Sequence, residues 1–252
     1  MRGTNSVAKQ FDIVIPCYNN LELTKECVES LKEHTASSFR LVLVNDASTD
    51  DTEKYFMELE KDDSIDVRVI TQKKNFGFTK SVTNGLRSSK APYVVVLNND
   101  IIVKEEWTKS AKELFKKKSS VGIIGPIGHV RLDDERYRWA YKEEGSFKFK
   151  HITFVSGSRT IIKREVINKI GYYDSVYSPG YYEDVDFSLR AVLAGFDLYK
   201  YVIPSEHKRS ATFKESKWNI SEIQSNNRKY LLRKFRRFLT TGKFDREDIF
   251  RA

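Results

Sequence analysis

Two short stretches of this chain carry residues whose types and spacing can do chemistry. Tyr181-Tyr182-Glu183-Asp184-Val185-Asp186 sets three acids within four residues. Enclosed together, such carboxylates repel one another and at least one pKa rises, which suits a base that takes a proton from a hydroxyl. The same acids also suit the first turn of a helix, where negative charge meets the macrodipole. The second stretch, Leu97-Asn98-Asn99-Asp100, ends an apolar run on a carboxylate. Asp100 there can ligate a hard divalent cation, with diphosphate oxygens and water completing the shell. Read locally, Asn-Asn-Asp is a turn. His207, just beyond the apolar run Leu198–Ile203, offers a neutral imidazole as a further ligand.

Other chemistries lose their main supports. There is no G-x-x-x-x-G-K-[ST] phosphate loop, no G-x-G-x-x-G after the first strand, and no evident Ser-His-Asp set. Ordinary kinase, GTPase and NAD-dependent readings therefore fall away.

The elements that must position these residues alternate along the first half. Phe11–Ile15 is a strand stopped by Pro16, and Leu23, Cys27 and Leu31 draw an apolar stripe on a helix over Leu21–His34. Phe39–Val44 is a strand, followed by a turn in which Thr49 or Asp50 caps a helix over Thr52–Leu59. Val67–Ile70 and Tyr93–Leu97 are strands around a helix at Thr79–Ser88. Apolar strands separated by helices mean a parallel sheet covered on both faces, a doubly wound α/β unit that binds ligands at the carboxyl ends of its strands. Three polar clusters fall at such ends: Pro16–Asn20, Asn45–Asp50 and Asn98–Asp100. Residues 130–150 read as loops and short hairpins. Residues 180–195 read as a helix with Val185, Leu189 and Val192 on one side, and Asn227–Leu239 as a basic amphipathic helix.

Charge is unevenly placed. The chain carries 44 basic and 35 acidic side chains, a formal net charge of +9. Residues 1–200 hold 31 basic against 29 acidic, and residues 201–252 hold 13 against 6. A basic nucleic-acid-binding domain needs positive charge along its main body, so no nucleic-acid partner is expected. Cys17 and Cys27 are the only cysteines, too few for a disulfide framework, and a reducing compartment follows. No apolar run approaches the ~20 residues of a bilayer span, and residues 1–10 read as a short leader without a signal-peptide core.

Taken together, the motifs resemble glycosyltransferase family 2, whose members are inverting enzymes of the GT-A fold. Val14-Ile15-Pro16-Cys17-Tyr18-Asn19 is similar to that family's V-I-P-x-Y-N opening, and Val44–Asp50 to its V-x-D-x-S-x-D loop. Asn75-Phe76-Gly77-Phe78 with Asn84 and Gly85 resembles N-x-G-F…N-x-G. Leu97–Asp100 resembles the L-N-N-D variant of the Asp-x-Asp motif, found in rhamnosyl- and galactosyl-type surface-glycan transferases. Gly171–Asp174 and Glu183–Asp186 with Arg190 and Gly195 resemble G-x-x-D and E-D-x-D…R…G. The likeness runs from about residue 11 to 210 and extends to Asn227–Tyr230 and Lys234-Phe235.

The resemblance implies an α/β GT-A domain over residues 11–212, mostly parallel with helices on both faces, and a basic helical tail over 213–252. It implies a metal-dependent inverting hexosyltransferase that moves a sugar from a UDP- or dTDP-sugar to a hydroxyl of a glycan, lipid-linked or on a surface polysaccharide. Pro16, Tyr18, Asn19, Asp46, Asn75, Gly77, Asn98, Asn99 and Asp100 would bind the donor, with Asp46 on the uracil or thymine imide. Asp100 and His207 would hold Mn²⁺ or Mg²⁺. Asp184 would be the catalytic base, and Gly157, Glu183 and Asp186 would organise the acceptor or the base loop. Asn98 replaces the first acid of Asp-x-Asp, which leaves one carboxylate for the metal at that motif. Arg159 stands where the family has a small or apolar residue and reads either as an anion clamp or as a surface arginine. No Q-x-x-R-W motif of processive synthases is present. The alternative is a catalytically inactive nucleotide-sugar or glycan-binding module. The tail reads either as an interfacial helix on an anionic membrane or as a helix packing its apolar stripe on the domain. The expected location is cytoplasmic, peripheral at the inner membrane face under the first reading.

Overall fold

The computed structural model describes residues 8–132, 148–208 and 218–250. The apolar runs form β1 (Phe11–Cys17), β2 (Phe39–Asn45), β3 (Val67–Thr71) and β4 (Tyr93–Leu97), joined by helices α1 (Leu21–His34), α2 (Thr52–Leu59) and α3 (Phe78–Ser88). There follow β5 (Ile101–Val103), α4 (Thr108–Lys117), β6 (Val121–Gly125), β7 (Ile127–Arg131), β8 (His151–Val155), β9 (Arg159–Lys163), α5 (Arg164–Ile170) and α6 (Glu183–Leu193). The last elements are β10 (Asp197–Lys200), β11 (Ser205–His207), α7 (Ile220–Lys234), α8 (Arg236–Thr241) and α9 (Arg246–Phe250).

Seven strands make one sheet in the order β10-β6-β9-β4-β1-β2-β3. All neighbours are parallel except β9, which is antiparallel to both β4 and β6. The two-residue period of a strand divides the core. Phe11, Ile13, Ile15 and Cys17 of β1 face Cys27, Val28 and Leu31 of α1 and Phe115 of α4. Val14, with Val94 and Val96 of β4, faces Val82 and Leu86 of α3 and Phe187 and Ala191 of α6. Each such side chain, fully buried, contributes ~1.5–3 kcal/mol. The approach of α3 to the sheet is close: a β-carbon on Gly85 would meet Val14 Cγ1 at 2.2 Å.

Several expectations shift. β1 does not stop at Pro16 but runs to Cys17, because beyond Val14 it pairs with β2 alone and the missing N–H costs no second ladder. Asp50 is the residue that serves α2: its Oδ1 accepts from the Thr52 N–H at 3.1 Å, and its Oδ2 accepts from the Leu21 N–H at the start of α1, also at 3.1 Å. The strand expected at Leu198–Ile203 ends at Lys200, and Val192 is 44% exposed rather than on the apolar side of α6. The stretch read as loops and short hairpins is flanked by β7 and β8, which pair as antiparallel strands, and its residues 133–147 lie outside the described residues.

The basic helix is interrupted at Phe235, where α7 gives way to α8. Leu231, Leu232, Phe235 and Leu239 are buried against Tyr177, Val185 and Leu189. Of the two readings of the tail, the packing one describes its apolar stripe, which is covered by α6. No helix among the described residues is long and apolar enough to cross a membrane.

Candidate active site

The chain leaves β1 for β2 and β3 on one side of the sheet and returns to β4 on the other, so the strand order reverses beside β1. A cleft of about 340 Å³ opens there, at the carboxyl ends of β1, β2 and β4. Pro16, Tyr18, Asp46, Asn75, Gly77, Asn98, Asn99, Asp100 and His207 all line it. Asn19 does not. Its Oδ1 accepts from the Thr49 N–H at 2.7 Å and its own N–H donates to Ser48 Oγ at 2.9 Å. Asn19 therefore fastens the end of β1 to the loop after β2, a role its left-handed backbone, φ 55°, makes geometrically available. Phe78, Ser81 and Trp218 line the cleft without having been anticipated.

Asp46 is almost wholly buried at one end of this cleft. Its Oδ1 accepts from Gln72 Nε2 at 2.7 Å and the Phe76 N–H at 2.8 Å, and its Oδ2 from the Gly77 N–H at 2.7 Å. Gln72 in turn accepts from Asn84 Nδ2 at 2.8 Å. This chain of amides explains the joint presence of Asn75-Phe76-Gly77 and Asn84: it fixes the backbone that edges the cleft. Burial pushes the Asp46 carboxyl up from its ordinary range, and the Phe76 and Gly77 N–H groups pull it back.

At the other end, the turn after β4 feeds β5, and β11 returns antiparallel to it with His207 opposite Ile101. This pairing brings His207 Nε2 within 3.3 Å of Asp100 Oδ1. Asn99 turns away to donate to Thr24 Oγ1 at 2.9 Å. Asn98 Oδ1 is buried without a partner among the described residues. A carboxylate and an imidazole side by side, open to a cleft, fit a dication whose other positions come from diphosphate and water. No group of three or more acidic, histidine or cysteine side chains with metal-holding geometry occurs among the described residues. Arg159 lines neither cleft: its Nη1 donates to Ser205 Oγ at 2.8 Å and ties β9 to the strand that bears His207.

A second cleft, of about 440 Å³, adjoins the first and shares Phe78 and Asn98 with it. Gly157, Glu183 and Asp184 line it, together with Gln224 of α7. Asp184 sits in the first turn of α6, where Oδ2 accepts from the Gly157 N–H at 3.1 Å and Oδ1 from the Val185 N–H at 2.8 Å. Burial pushes its carboxyl up to about 6 against the pull of those two N–H groups. Burial first and the Asp184 charge second hold Glu183 well above the ordinary carboxylate range. Burial and the neighbouring charge thus favour the proton on Glu183 over Asp184, and a proton acceptor must be the ionised member of such a pair.

Residues 12–171 match the family described as Glycosyl transferase family 2. The chain belongs to glycosyl transferase family 2. GlyG, a glycosyltransferase of Streptococcus pneumoniae, is 22% identical over 66% of this chain and 60% of its own length. A teichoic acid poly(glycerol phosphate) polymerase of Staphylococcus epidermidis is 31% identical over 46% of this chain, which spans only 16% of that protein. In fold, a mannosyltransferase of Pyrobaculum calidifontis, PcManGT, solved with GDP-mannose and Mn²⁺, superposes with TM-score 0.61 at 15% identity, over 90% of this chain and 70% of that one. TarS of S. aureus, solved with UDP-GlcNAc, gives 0.63 at 18% identity, over 88% and 65%. The fold is that of these GT-A enzymes.

Within this family 2 chain, Asp186 is the acid that does not reach either cleft. It is fully buried, bound to Arg190 Nε at 2.5 Å, Lys234 Nζ at 2.7 Å and the Tyr177 hydroxyl at 3.1 Å. Arg190 also donates to the carbonyls of Ile170 and Tyr172, and Lys234 reaches Asp174 at 2.8 Å. Of the two expected roles, organising the acceptor or the base loop, Asp186 makes no acceptor contact and sits instead in a neutral buried cluster of two acids and two bases that secures α6 from behind. Asn227, placed in the closing motif but given no role there, has one here: its Nδ2 lies 3.0, 2.8 and 3.0 Å from the carbonyls of Tyr177, Gly180 and Tyr181. Those carbonyls belong to the loop that leads into Asp184, where Tyr181 and Tyr182 both have φ above 70°. Holding two non-glycine residues there costs of order 1–3 kcal/mol each. The clamp from α7 is what offsets it.

Proposed function

We propose that this chain transfers a sugar from a UDP- or dTDP-sugar to a glycan hydroxyl with inversion, using Asp184 as the base. One observation carries the reading: Asp184, pushed up to about 6, lines the cleft adjoining the one edged by Asp46 and Asp100. The donor belongs in the first cleft, its nucleoside towards Tyr18 and Asp46 and its diphosphate towards Asp100. The acceptor belongs in the second, where Asp184 takes the proton from its hydroxyl as that oxygen attacks the anomeric carbon from the face opposite the diphosphate. The nucleophile comes from the acceptor, so no covalent enzyme intermediate is formed.

Asp100 and His207 would hold Mn²⁺ or Mg²⁺, which when bound supplies positive charge to the departing diphosphate. PcManGT, solved with Mn²⁺ and a nucleotide sugar, supports this assignment by shared fold. Burial favours the neutral form of Glu183, which lessens its repulsion of Asp184 beside the acceptor. Relatives named for poly(glycerol phosphate) and poly-β-1,6-N-acetyl-D-glucosamine support a polymeric or surface-glycan acceptor. We assign residues 11–212 to the catalytic unit and the helices after 213 to its support. Two buried free thiols, Cys17 and Cys27, suit the cytoplasm.

A thermal-shift screen of UDP-, dTDP- and GDP-sugars with and without Mn²⁺ tests the donor assignment. Stabilisation by a UDP- or dTDP-sugar that depends on Mn²⁺ is the expected result; a response to GDP-sugars alone contradicts the role given to Asp46. An inactive binding module would show the same stabilisation with no sugar released or transferred.

A further inference from the structure

The cleft that holds Asp184 has a wall of aromatic rings. Phe154 and Tyr182 are half-buried: each packs on the apolar cluster beneath α7 and also lines the cleft. Phe154 is placed by the strand opposite. It pairs with Gly128 of β7, and a β-carbon there would meet the ring Cζ at 2.5 Å, so the ring lies where only a glycine leaves it room. Tyr182 immediately precedes Glu183 at the start of α6. Phe78 continues the wall towards the donor, since it lines both clefts. A β-carbon on Gly157 would touch Phe78 Cε1 at 3.5 Å and Asp184 Cβ at 3.7 Å. That glycine therefore keeps a methyl-sized space between an aromatic ring and the base, where a hydroxyl can enter.

An amide reaches the same cleft from α7. Gln224 is exposed and lines it. Asn219 caps the start of this helix, its Oδ1 accepting from the Glu222 N–H at 3.3 Å. One turn beyond Gln224, Asn227 and Arg228 share its side of the helix at i+3 and i+4. Asn227 bonds the carbonyls of the base loop, and Arg228 donates to the Arg131 carbonyl at the end of β7 at 2.7 Å. The helix is thus fastened both to the loop that leads into Asp184 and to the hairpin that carries Phe154. Gln224 stands on a rigid element in the cleft of the base.

At about 440 Å³ the cleft falls within the ~300–1,000 Å³ of sites that take a small molecule. A pyranose ring matches its two kinds of surface, with a face of C–H bonds and a rim of hydroxyls. The C–H face packs on aromatic rings through apolar burial and the negative charge of the ring face. A side-chain amide holds two N–H donors and a carbonyl acceptor, so it reads the direction of a hydroxyl as well as its presence. We infer that the cleft takes one pyranose unit of the acceptor, its C–H face on Phe154 and Tyr182 and a hydroxyl next to the reacting one on Gln224. Gln224 thereby selects among epimers, and α7 is part of the acceptor site as well as a support for the base loop. An acyclic polyol phosphate has no such face to lay on this wall. The inference rests on reading the Asp184 cleft as the acceptor cleft, but its test does not need turnover.

Saturation-transfer difference NMR of the full chain, with UDP and Mg²⁺ present, measures binding of methyl β-glucoside, β-galactoside and β-mannoside. The last two each differ from the first in the direction of a single hydroxyl. Glycerol 3-phosphate is the acyclic comparison. The wild type should bind one glycoside about tenfold more tightly than its epimers, with saturation strongest on ring C–H protons. Gln224→Leu, at an exposed helix position, should keep the Tm and bring the epimers within about twofold of one another. Phe154→Leu should weaken all three alike, because a ring face does not read the direction of a hydroxyl. Neither variant should change UDP binding. An epimer preference untouched by Gln224→Leu overturns the inference, as does binding of glycerol 3-phosphate in place of the glycosides, or of no glycoside at all. If Asp184→Asn keeps full turnover while the epimer preference stands, the base fails and the pyranose subsite survives. An inactive Asp184→Asn with no glycoside bound keeps the base and removes the subsite.

Discussion

Pro179 lies so close over Gly77 that a β-carbon built on the glycine would meet the proline Cβ at 2.4 Å. Gly77 edges the donor cleft through its N–H to Asp46, and Pro179 belongs to the loop that carries the base, so the two halves of the site touch here. The backbone at Gly77, φ 85° and ψ 176°, is one that only glycine adopts without strain. Gly77→Ala should therefore destabilise the fold by about 2–4 kcal/mol and raise the donor KM, measured by urea unfolding and steady-state kinetics.

Asn227 shares its two side-chain N–H donors among three carbonyls of the base loop from a helix more than 40 residues further along the chain. Asn227→Leu keeps the volume and removes those bonds, at a cost of about 1–3 kcal/mol. Because the loop positions Asp184 and not the donor, kcat should fall at least tenfold while the donor KM stays near wild type. A fall in stability with kcat unchanged would leave Asn227 a structural residue only.

The buried carboxyl of Glu183 gives a dependence of stability on pH with a definite sign. Its folded pKa is raised, so its favourable contribution is complete below the unfolded value and is lost as pH rises through the folded one. Glu183→Gln keeps the neutral form at every pH. Its Tm relative to wild type should therefore climb between pH 5 and pH 9, as read by differential scanning calorimetry.

Asp100→Ala and His207→Ala should each weaken Mn²⁺-dependent UDP binding and leave the residual binding in EDTA alone. Titration calorimetry with and without the ion separates the two. Equal loss in EDTA would mean that these side chains contact the nucleotide directly.

What could be read from the chain divides by distance in sequence. Asp184, Asp100 and the Pro16–Tyr18 strand end lie inside local motifs, and the alternation of apolar strands with helices placed the last two at one edge of a sheet. Gln72 carries no local signal and Asn227 only a motif without a role, since each acts on groups brought to it by tertiary folding. For Asp186 the motif left open whether it faces the acceptor or braces the base loop, because its partners Tyr177 and Lys234 approach from other elements. The basic tail was ambiguous for a related reason: an apolar stripe says that a helix packs, and the surface it packs on is a tertiary fact.

The central claim is that Asp184 removes the acceptor's proton. Wild-type transfer should rise with pH through about 6, the value to which burial pushes its carboxyl. Turnover of Asp184→Asn, measured on protein whose UDP binding and Tm are intact, is the direct test. Transfer should drop by about 10²–10⁴-fold and lose the rise near pH 6. A variant that turns over like wild type, with the same pH profile, contradicts the account.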